Sequence, residues 1–356
     1  MQRLMFEILV SLKIPSYLLV HFLVSDFSNI RLMRAIIPVA GVGSRLRPHT
    51  YTVPKVLLNV AGKPIIGHIM DKIIENGVDE ATIVIGYLGE KIKDYILDHY
   101  SIKVDFVEQE ERLGLGHAIY LSRHTVSRSP ILIILGDTIF DVNLKELMKS
   151  QYTVLGVKKV DDPRRFGVAE TVDGFISRLV EKPEDPKSNL AVVGLYYIQQ
   201  PQTLLDSLKE MIKINVKTKG EYQLTDALQM MIDRGEKMKT FDVEGWYDCG
   251  KPETLLETNR LLLAHAAKAK PAAGVLLQPP VFISPAATVK NSIIGPNTTI
   301  AEGATVENSI IRNSIVSEGS IVGDALLEDS IVGSNAIVRG RYKRINIGDS
   351  SELEFY

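Results

Sequence analysis

Hydrophobic and polar positions follow two different periods along this chain. From Arg34 to about Asp141, short apolar runs alternate with segments of helical spacing. Ala35–Val39 is an apolar run that opens into a glycine-rich loop, and Ile65–Asn76 has helical spacing that stops at Gly77. Ala81–Ile85 is a buried-strand run closed by Gly86, Lys91–Tyr100 reads as a helix, and Val104–Val107 as a short strand. Ala118–Thr125 continues a helix and Ile131–Leu135 is a third apolar strand. Such alternation predicts a mainly parallel sheet with helices on both faces. Ligands then bind in the loops at the carboxyl ends of the strands.

The middle of the chain reads differently. Val168–Thr171 and Phe175–Val180 flank Asp173-Gly174, a strong hairpin-turn pair. Gly194–Ile198 is a further strand, while Leu224–Asp233 and Pro252–Ala267 read as helices. After Pro280 the helical period disappears. Ile283, Val289, Ile294, Ile300, Val306, Ile311, Val316, Val322, Leu327, Val332 and Ile337 recur every five or six residues. Asn-Ser-Ile recurs at Asn291, Asn308 and Asn313, with Asp329-Ser330-Ile331 as a variant. A sustained short period marks a solenoid, whose rungs must stack to bury one aliphatic residue each. A β-sandwich fits less well, because its strands recur about every 8–12 residues. The expected division is an N-terminal extension over 1–33, an α/β domain over 34–265, a linker over 266–280, a coil over 281–340 and a tail over 341–356.

Composition narrows the function. With 45% hydrophobic and 24% charged residues, the chain can build a sizeable core. A net charge of −2 implies no broad basic surface, so neither nucleic acid nor an acidic membrane is an expected partner. The single cysteine, Cys249, excludes an intrachain disulfide and fits a reducing, cytoplasmic location. Met5–Val24 is apolar, but Glu7, Lys13, Pro15 and His21 interrupt it, and no small-residue cleavage site follows. Met33 directly precedes the first strand, so residues 1–32 read as an upstream extension, in keeping with a misassigned start.

The candidate chemistry is concentrated in four places. Gly41-Val42-Gly43-Ser44-Arg45-Leu46-Arg47-Pro48 follows the first strand, where backbone N–H groups can approach a phosphate. It lacks the third glycine of a dinucleotide fingerprint and the Gly-Lys-Ser/Thr of a P-loop. Asp137 ends the Ile131–Leu135 run, and Asp248 lies in Trp246-Tyr247-Asp248-Cys249-Gly250. Either aspartate could instead be a turn or helix-cap residue. Glu181-Lys182 follows the hairpin, as a solvated turn also would, and Gln109 sits in a loop ahead of Leu113-Gly114-Leu115-Gly116-His117.

Longer strings decide between these readings. Pro38–Pro48 followed by Thr52-Val53-Pro54-Lys55 resembles the signature of the sugar-1-phosphate nucleotidylyltransferases. Glu181–Tyr196 resembles the thymidylyltransferases acting on glucose-1-phosphate, whereas Leu113–Ala118 and the Pro38-Val39-Ala40-Gly41 opening lean towards the uridylyltransferases. The solenoid resembles the hexapeptide-repeat β-helix, and its expected left hand comes from that resemblance alone, since the crossover rule favours the opposite hand. The resemblance implies a Rossmann-like, mainly parallel mixed sheet followed by this β-helix.

It also implies roles. Ala40, Gly41, Gly43 and Ser44 would wrap a nucleoside triphosphate, with Gln109 and Gly114 at the base. Arg45 would act on the leaving pyrophosphate and Lys55 at the reacting phosphorus. Gly167, Glu181, Lys182 and Tyr196 would hold a hexose-1-phosphate, and Asp137 and Asp248 would hold Mg²⁺. No role follows for Arg47, and His117 reads as a helix-start residue. Ser44 replaces the family's commoner threonine, and Cys249 fills a variable slot. The expected reaction joins an NTP, with dTTP favoured over UTP, to a hexose-1-phosphate, with glucose-1-phosphate favoured. A homo-oligomer is expected. A non-catalytic homologue would not need Arg45, Lys55, Asp137, Lys182 and Asp248 together. A solenoid acetyltransferase generally uses a histidine base, and the last histidine, His265, precedes the first coil.

Overall fold

The computed structural model describes residues 33–265, 274–340 and 346–354. The extension over 1–32 and the first half of the linker lie outside the described residues. Among the described residues, no helix is long and apolar enough to cross a membrane.

The α/β part is built on a nine-stranded sheet. Four strands run parallel in the order Lys103–Glu108, Glu80–Ile85, Arg34–Pro38 and Ile131–Ile134. Because strand side chains alternate between faces, Ala35 and Ile37 enter one core and Ile36 the other. Helices Ile65–Glu75, Gly89–His99 and Pro252–Leu263 cover the first face. Leu115–Leu121, Pro201–Lys213 and Leu224–Asp233 cover the second. Burying both faces explains why Arg34–Pro38, Glu80–Ile85 and Ile131–Ile134 read as near-continuous apolar runs, whereas Lys103–Glu108 at the sheet edge keeps polar positions.

The rest of the sheet is antiparallel except at one margin. Leu190–Ile198 pairs with Ile131–Ile134, with Thr153–Lys159 and with the Gly167–Val172/Phe175–Glu181 hairpin. Met238–Asp242 lies parallel to Thr153–Lys159 at the margin. A separate ribbon pairs Gly245–Asp248 with Thr138–Asp141.

The C-terminal part is a stack of short parallel strands forming three sheets, as in a β-helix. Successive rungs pair 15–17 residues apart, as Val281 with Thr298 and Ile337 with Glu352 do, so three strands make one turn. Ile294, Ile300, Val306, Ile311, Val316, Val322, Leu327 and Val332 all point inward and are fully buried. At the next step Val338, not the expected Ile337, is the buried residue. The Asn-Ser-Ile repeat has a geometric cause. Asn291, Asn308, Asn313 and Asp329 take φ of 46°, 50°, 45° and 49° at the corners, a left-handed conformation that Asn and Asp tolerate. The following serines turn inward, and Ser292, Ser309 and Ser330 return a hydrogen bond to the carbonyl two residues back at 2.7–2.8 Å. The ladders extend beyond the expected 281–340. Val275–Leu277 already pairs inside the expected linker. Asn346–Ile347 and Glu352–Glu354 pair inside the expected tail.

Candidate active site

The carboxyl ends of the four parallel strands deliver the loops that line a cleft of about 670 Å³. Its lining includes Ala40, Gly41, Gly43, Ser44, Arg45, Lys55, Gln109, Gly114 and Asp137. A second groove of about 750 Å³, beside the Gly167–Glu181 hairpin, contains none of the predicted site residues.

The phosphate loop is fixed at one point and open at the rest. Leu46 is fully buried and anchors the Ser44–Leu46 turn, while Arg45 stays exposed. Gly43 has φ +62°, and a Cβ there would lie 3.0 Å from both Lys55 Cβ and Thr50 Cγ2, so glycine is required twice over. Gly136 lets the Leu135–Asp137 loop approach Pro38: its N–H donates to the Pro38 carbonyl at 3.3 Å, and a Cβ would sit 2.4 Å from Val39. The phosphate loop and Asp137 are thereby held side by side.

Lys55 Nζ donates to Asp137 Oδ2 at 2.8 Å. Burial pushes the Asp137 carboxyl up, but the charge and hydrogen bond of Lys55, with Arg45 behind them, outweigh it and hold Asp137 below the usual carboxylate range. Asp248 behaves oppositely. Burial and the Asp137 charge raise it, against Lys55, the Gly250 N–H and Arg45. The ribbon brings the two aspartates together, because Asp248 lies opposite Thr138 and the Cys249 N–H donates to the Asp137 carbonyl at 3.0 Å. Among the described residues no cluster of three or more His, Cys, Asp or Glu exists that could hold a metal ion. Two mutually repelling carboxylates beside a phosphate loop still form a suitable donor set for Mg²⁺, which takes one or two carboxylates and completes its shell with phosphate oxygens and water.

Gln109, expected from the sequence to face the base, is buried and its Nε2 donates to the Gly114 carbonyl at 3.1 Å and to His117 Nδ1 at 3.2 Å. His117, read from sequence as a helix-start residue, therefore also orients the amide. Burial keeps its imidazole below the usual histidine range, which suits an acceptor Nδ1. Gly114 has φ +108° and sits against Tyr222, whose N–H donates to the Leu113 carbonyl at 2.8 Å. Arg112 and Glu221 also line this end of the cleft.

The residues expected to hold the hexose-1-phosphate form their own group. Gly167 lies opposite Glu181 in the hairpin, and a Cβ on it would come 3.0 Å from Thr225 Oγ1. Thr225 Oγ1 donates to Glu181 Oε2 at 2.7 Å, and Lys182 Nζ lies 3.3 Å from Glu181 Oε1. Tyr196 is nearly closed off from solvent, and burial together with the Glu181 and Asp137 charges raises its phenol. That double influence links the Glu181 group to the Lys55–Asp137 pair. Sequence reading passed over Thr225 and Asp226, which open the Leu224–Asp233 helix. Asp226 Oδ2 is buried without a protein partner, and burial, then the nearby Glu181, raises its carboxyl. Their signal was hidden because Leu224–Asp233 reads as an ordinary amphipathic helix.

The fold and these loops define a class. Residues 34–265 match the nucleotidyl transferase family model, and the chain belongs to that family. It is 42% identical over 234 residues to the bifunctional protein GlmU of Methanocaldococcus jannaschii, covering 65% of this chain and 54% of that protein. The chain thus spans about half the length of that relative. It is 31% identical over 314 residues to the glucose-1-phosphate thymidylyltransferase of Streptomyces griseus, covering 80% of this chain and 87% of that one. Among solved structures, a UDP-glucose pyrophosphorylase complexed with UDP-glucose superposes with a TM-score of 0.59 at 27% identity, covering 66% of this chain and all of that one.

Proposed function

We propose that this chain transfers a nucleotidyl group from an NTP to a hexose-1-phosphate, releasing pyrophosphate and leaving an NDP-sugar. The observation that carries this reading is the Lys55–Asp137 pair lining the cleft beside the Gly41–Ser44 loop, with Asp248 brought next to Asp137 by the ribbon. The triphosphate would lie along Gly41–Ser44 with Arg45 on its leaving pyrophosphate. Lys55 would face the oxygens of the reacting phosphorus. Glu181 and Lys182 would hold the hexose and its phosphate, whose oxygen attacks in line. No side-chain nucleophile is required, since positioning and charge stabilisation suffice for phosphoryl chemistry. Asp137 and Asp248 would hold Mg²⁺, which when bound neutralises charge on phosphate oxygens as a Lewis acid.

We favour dTTP and glucose-1-phosphate. Support comes from the Glu181–Tyr196 stretch and from the Streptomyces griseus relative, whose match runs beyond the α/β domain. The Leu113–Gly116 loop supports UTP as the alternative nucleotide. An acetyl-transfer role for the coil has no support, because residues 266–356 contain no histidine. The test is a pyrophosphate-release screen crossing the common NTPs with glucose-, galactose-, mannose- and N-acetylglucosamine-1-phosphate. Release is expected to be fastest with dTTP and glucose-1-phosphate and to stop when Mg²⁺ is chelated. Failure of every pair in Mg²⁺ would refute the reading.

A further inference from the structure

Pro48–Thr52 joins the phosphate loop to Pro54-Lys55, so its conformation sets both. It is a polar stretch, yet His49 is 1% and Thr50 2% exposed. The cover comes from the far end of the coil. Pro48 abuts Gly348, where a Cβ would lie 2.8 Å from Pro48 Cβ. His49 Nε2 hydrogen-bonds Asn346 Oδ1, and Thr52 Oγ1 donates to Asp349. Asp349 is itself held, since its Oδ1 accepts from the Ser334 N–H at 2.8 Å. On the cleft side, Thr50 Oγ1 donates to the Gly43 carbonyl at 2.9 Å. The space around Gly43 is already filled by Lys55 and Thr50. A shift of His49 and Thr50 therefore passes directly to the triphosphate loop and to Lys55.

We propose that His49 is a positioning residue for the nucleoside triphosphate, fastening the phosphate loop to the last rungs of the coil through Asn346. This rests on the functional reading above. His49 is buried behind the loop and does not line the cleft, so its action runs through Gly43 and Lys55. With Asn346 Oδ1 as acceptor, Nε2 carries the proton. The sugar side has a separate support: Thr225 holds Glu181, and Gln229 Oε1 accepts from the Leu179 N–H at 2.6 Å, both from the Leu224–Asp233 helix. Losing the coil contact should consequently affect one substrate and spare the other.

Asn346 is exposed, so it can be changed without opening a cavity. In the full chain, Asn346→Leu removes the acceptor at similar volume, whereas Asn346→Asp keeps an acceptor oxygen. Binding of dTTP and UTP with Mg²⁺, and separately of glucose-1-phosphate, is measured by calorimetry, alongside steady-state kinetics with each substrate varied. Asn346→Leu is expected to weaken nucleotide binding and raise the nucleotide KM by about three- to ten-fold. The sugar-phosphate constants should stay put, and Asn346→Asp should restore the nucleotide constants. If the wild type binds nucleotide and Asn346→Leu binds it equally well, the proposal fails while the functional reading stands. If both substrates weaken together with a falling thermal midpoint, the contact is only structural and the proposal also fails. A wild type that binds neither nucleotide overturns the functional reading and the proposal together.

Discussion

Lys55 and Lys182 carry the same group but occupy different surroundings. Lys55 is 12% exposed and locked onto Asp137, while Lys182 is 43% exposed and leans on Glu181. A fixed ammonium beside the reacting phosphorus stabilises charge that develops in the transition state. A partly exposed one can grip a phosphate already present in the ground state. Lys55→Ala should therefore mainly depress kcat, and Lys182→Ala should mainly raise the KM for the sugar phosphate. A charge-assisted contact of about 1.5–3 kcal/mol makes each effect about ten- to a hundred-fold. Lys55→Arg should not fully restore activity, because a planar guanidinium cannot reproduce the compact ammonium that donates to Asp137 Oδ2 at 2.8 Å. Steady-state kinetics with each substrate varied in turn checks all three. A Lys182→Ala variant whose KM changed only for the nucleotide would reverse the assumed orientation of the substrates.

At the scale of elements, the first strand enters the sheet through an ion cluster built on a buried arginine. Arg34 donates to Glu80 and to Asp105 on the next two strands, and to Thr82 Oγ1 at 2.8 Å. The Lys103 hydrogen bond, opposed by burial and joined by Arg34, holds the Glu80 carboxyl below its usual range. A carboxylate with a depressed folded pKa contributes stability that is present above its unfolded pKa and lost as pH falls through the folded one. Glu80→Gln should cost about 2 kcal/mol at neutral pH, and the gap to wild type should start to narrow as pH falls into the ordinary carboxylate range and close only below the depressed folded pKa. Urea unfolding of both proteins across that range measures it, and a gap independent of pH would show that packing, not charge, is responsible. The same scale shows what the sequence could reveal. Apolar runs exposed the parallel strands, and Asp173-Gly174 exposed the hairpin, because each carries its own local signal. Thr153–Lys159 and Met238–Asp242 escaped notice because their partners are far apart in sequence. The Thr138–Asp141/Gly245–Asp248 ribbon escaped for the same reason, although it is what joins Asp137 to Asp248. Motif strings picked out the residues of the candidate site, but the His117–Gln109, Thr225–Glu181 and His49–Asn346 pairings depend on tertiary approach that no spacing encodes.

Across the whole molecule, the two parts share a core rather than a hinge. Ile315 and Ile331, on the outer side of one coil sheet, belong to the same apolar cluster as Ile37 and Leu255 of the α/β part. Asn259, fully buried on the Pro252–Leu263 helix, is the polar centre of that seam. Its Oδ1 accepts from the Ala61 N–H at 2.9 Å and from Thr299 Oγ1 at 2.7 Å, and its Nδ2 donates to the Asn297 carbonyl at 3.1 Å. Nearby, Asn59 Nδ2 donates to Glu318 at 3.1 Å. Parts that bury apolar area against each other and share satisfied polar groups unfold together, whereas weakly docked domains unfold in steps. The wild-type chain should accordingly melt in a single calorimetric transition. Asn259→Ala leaves the Ala61 N–H, the Thr299 hydroxyl and the Asn297 carbonyl without that partner, at about 1–3 kcal/mol for each group that stays buried. Two of the three lost bonds cross between the parts and the third, to Ala61, lies within the α/β part, so the penalty weakens the seam and the α/β part but not the coil interior. The variant should therefore split the transition, the α/β part melting first and the coil, whose ladder is closed within itself, surviving to higher temperature. Scanning calorimetry on both chains reads this directly, with far-UV circular dichroism reporting which part has melted. A single transition in Asn259→Ala, shifted but not divided, would mean that the Ile315 and Ile331 contacts alone keep the molecule cooperative.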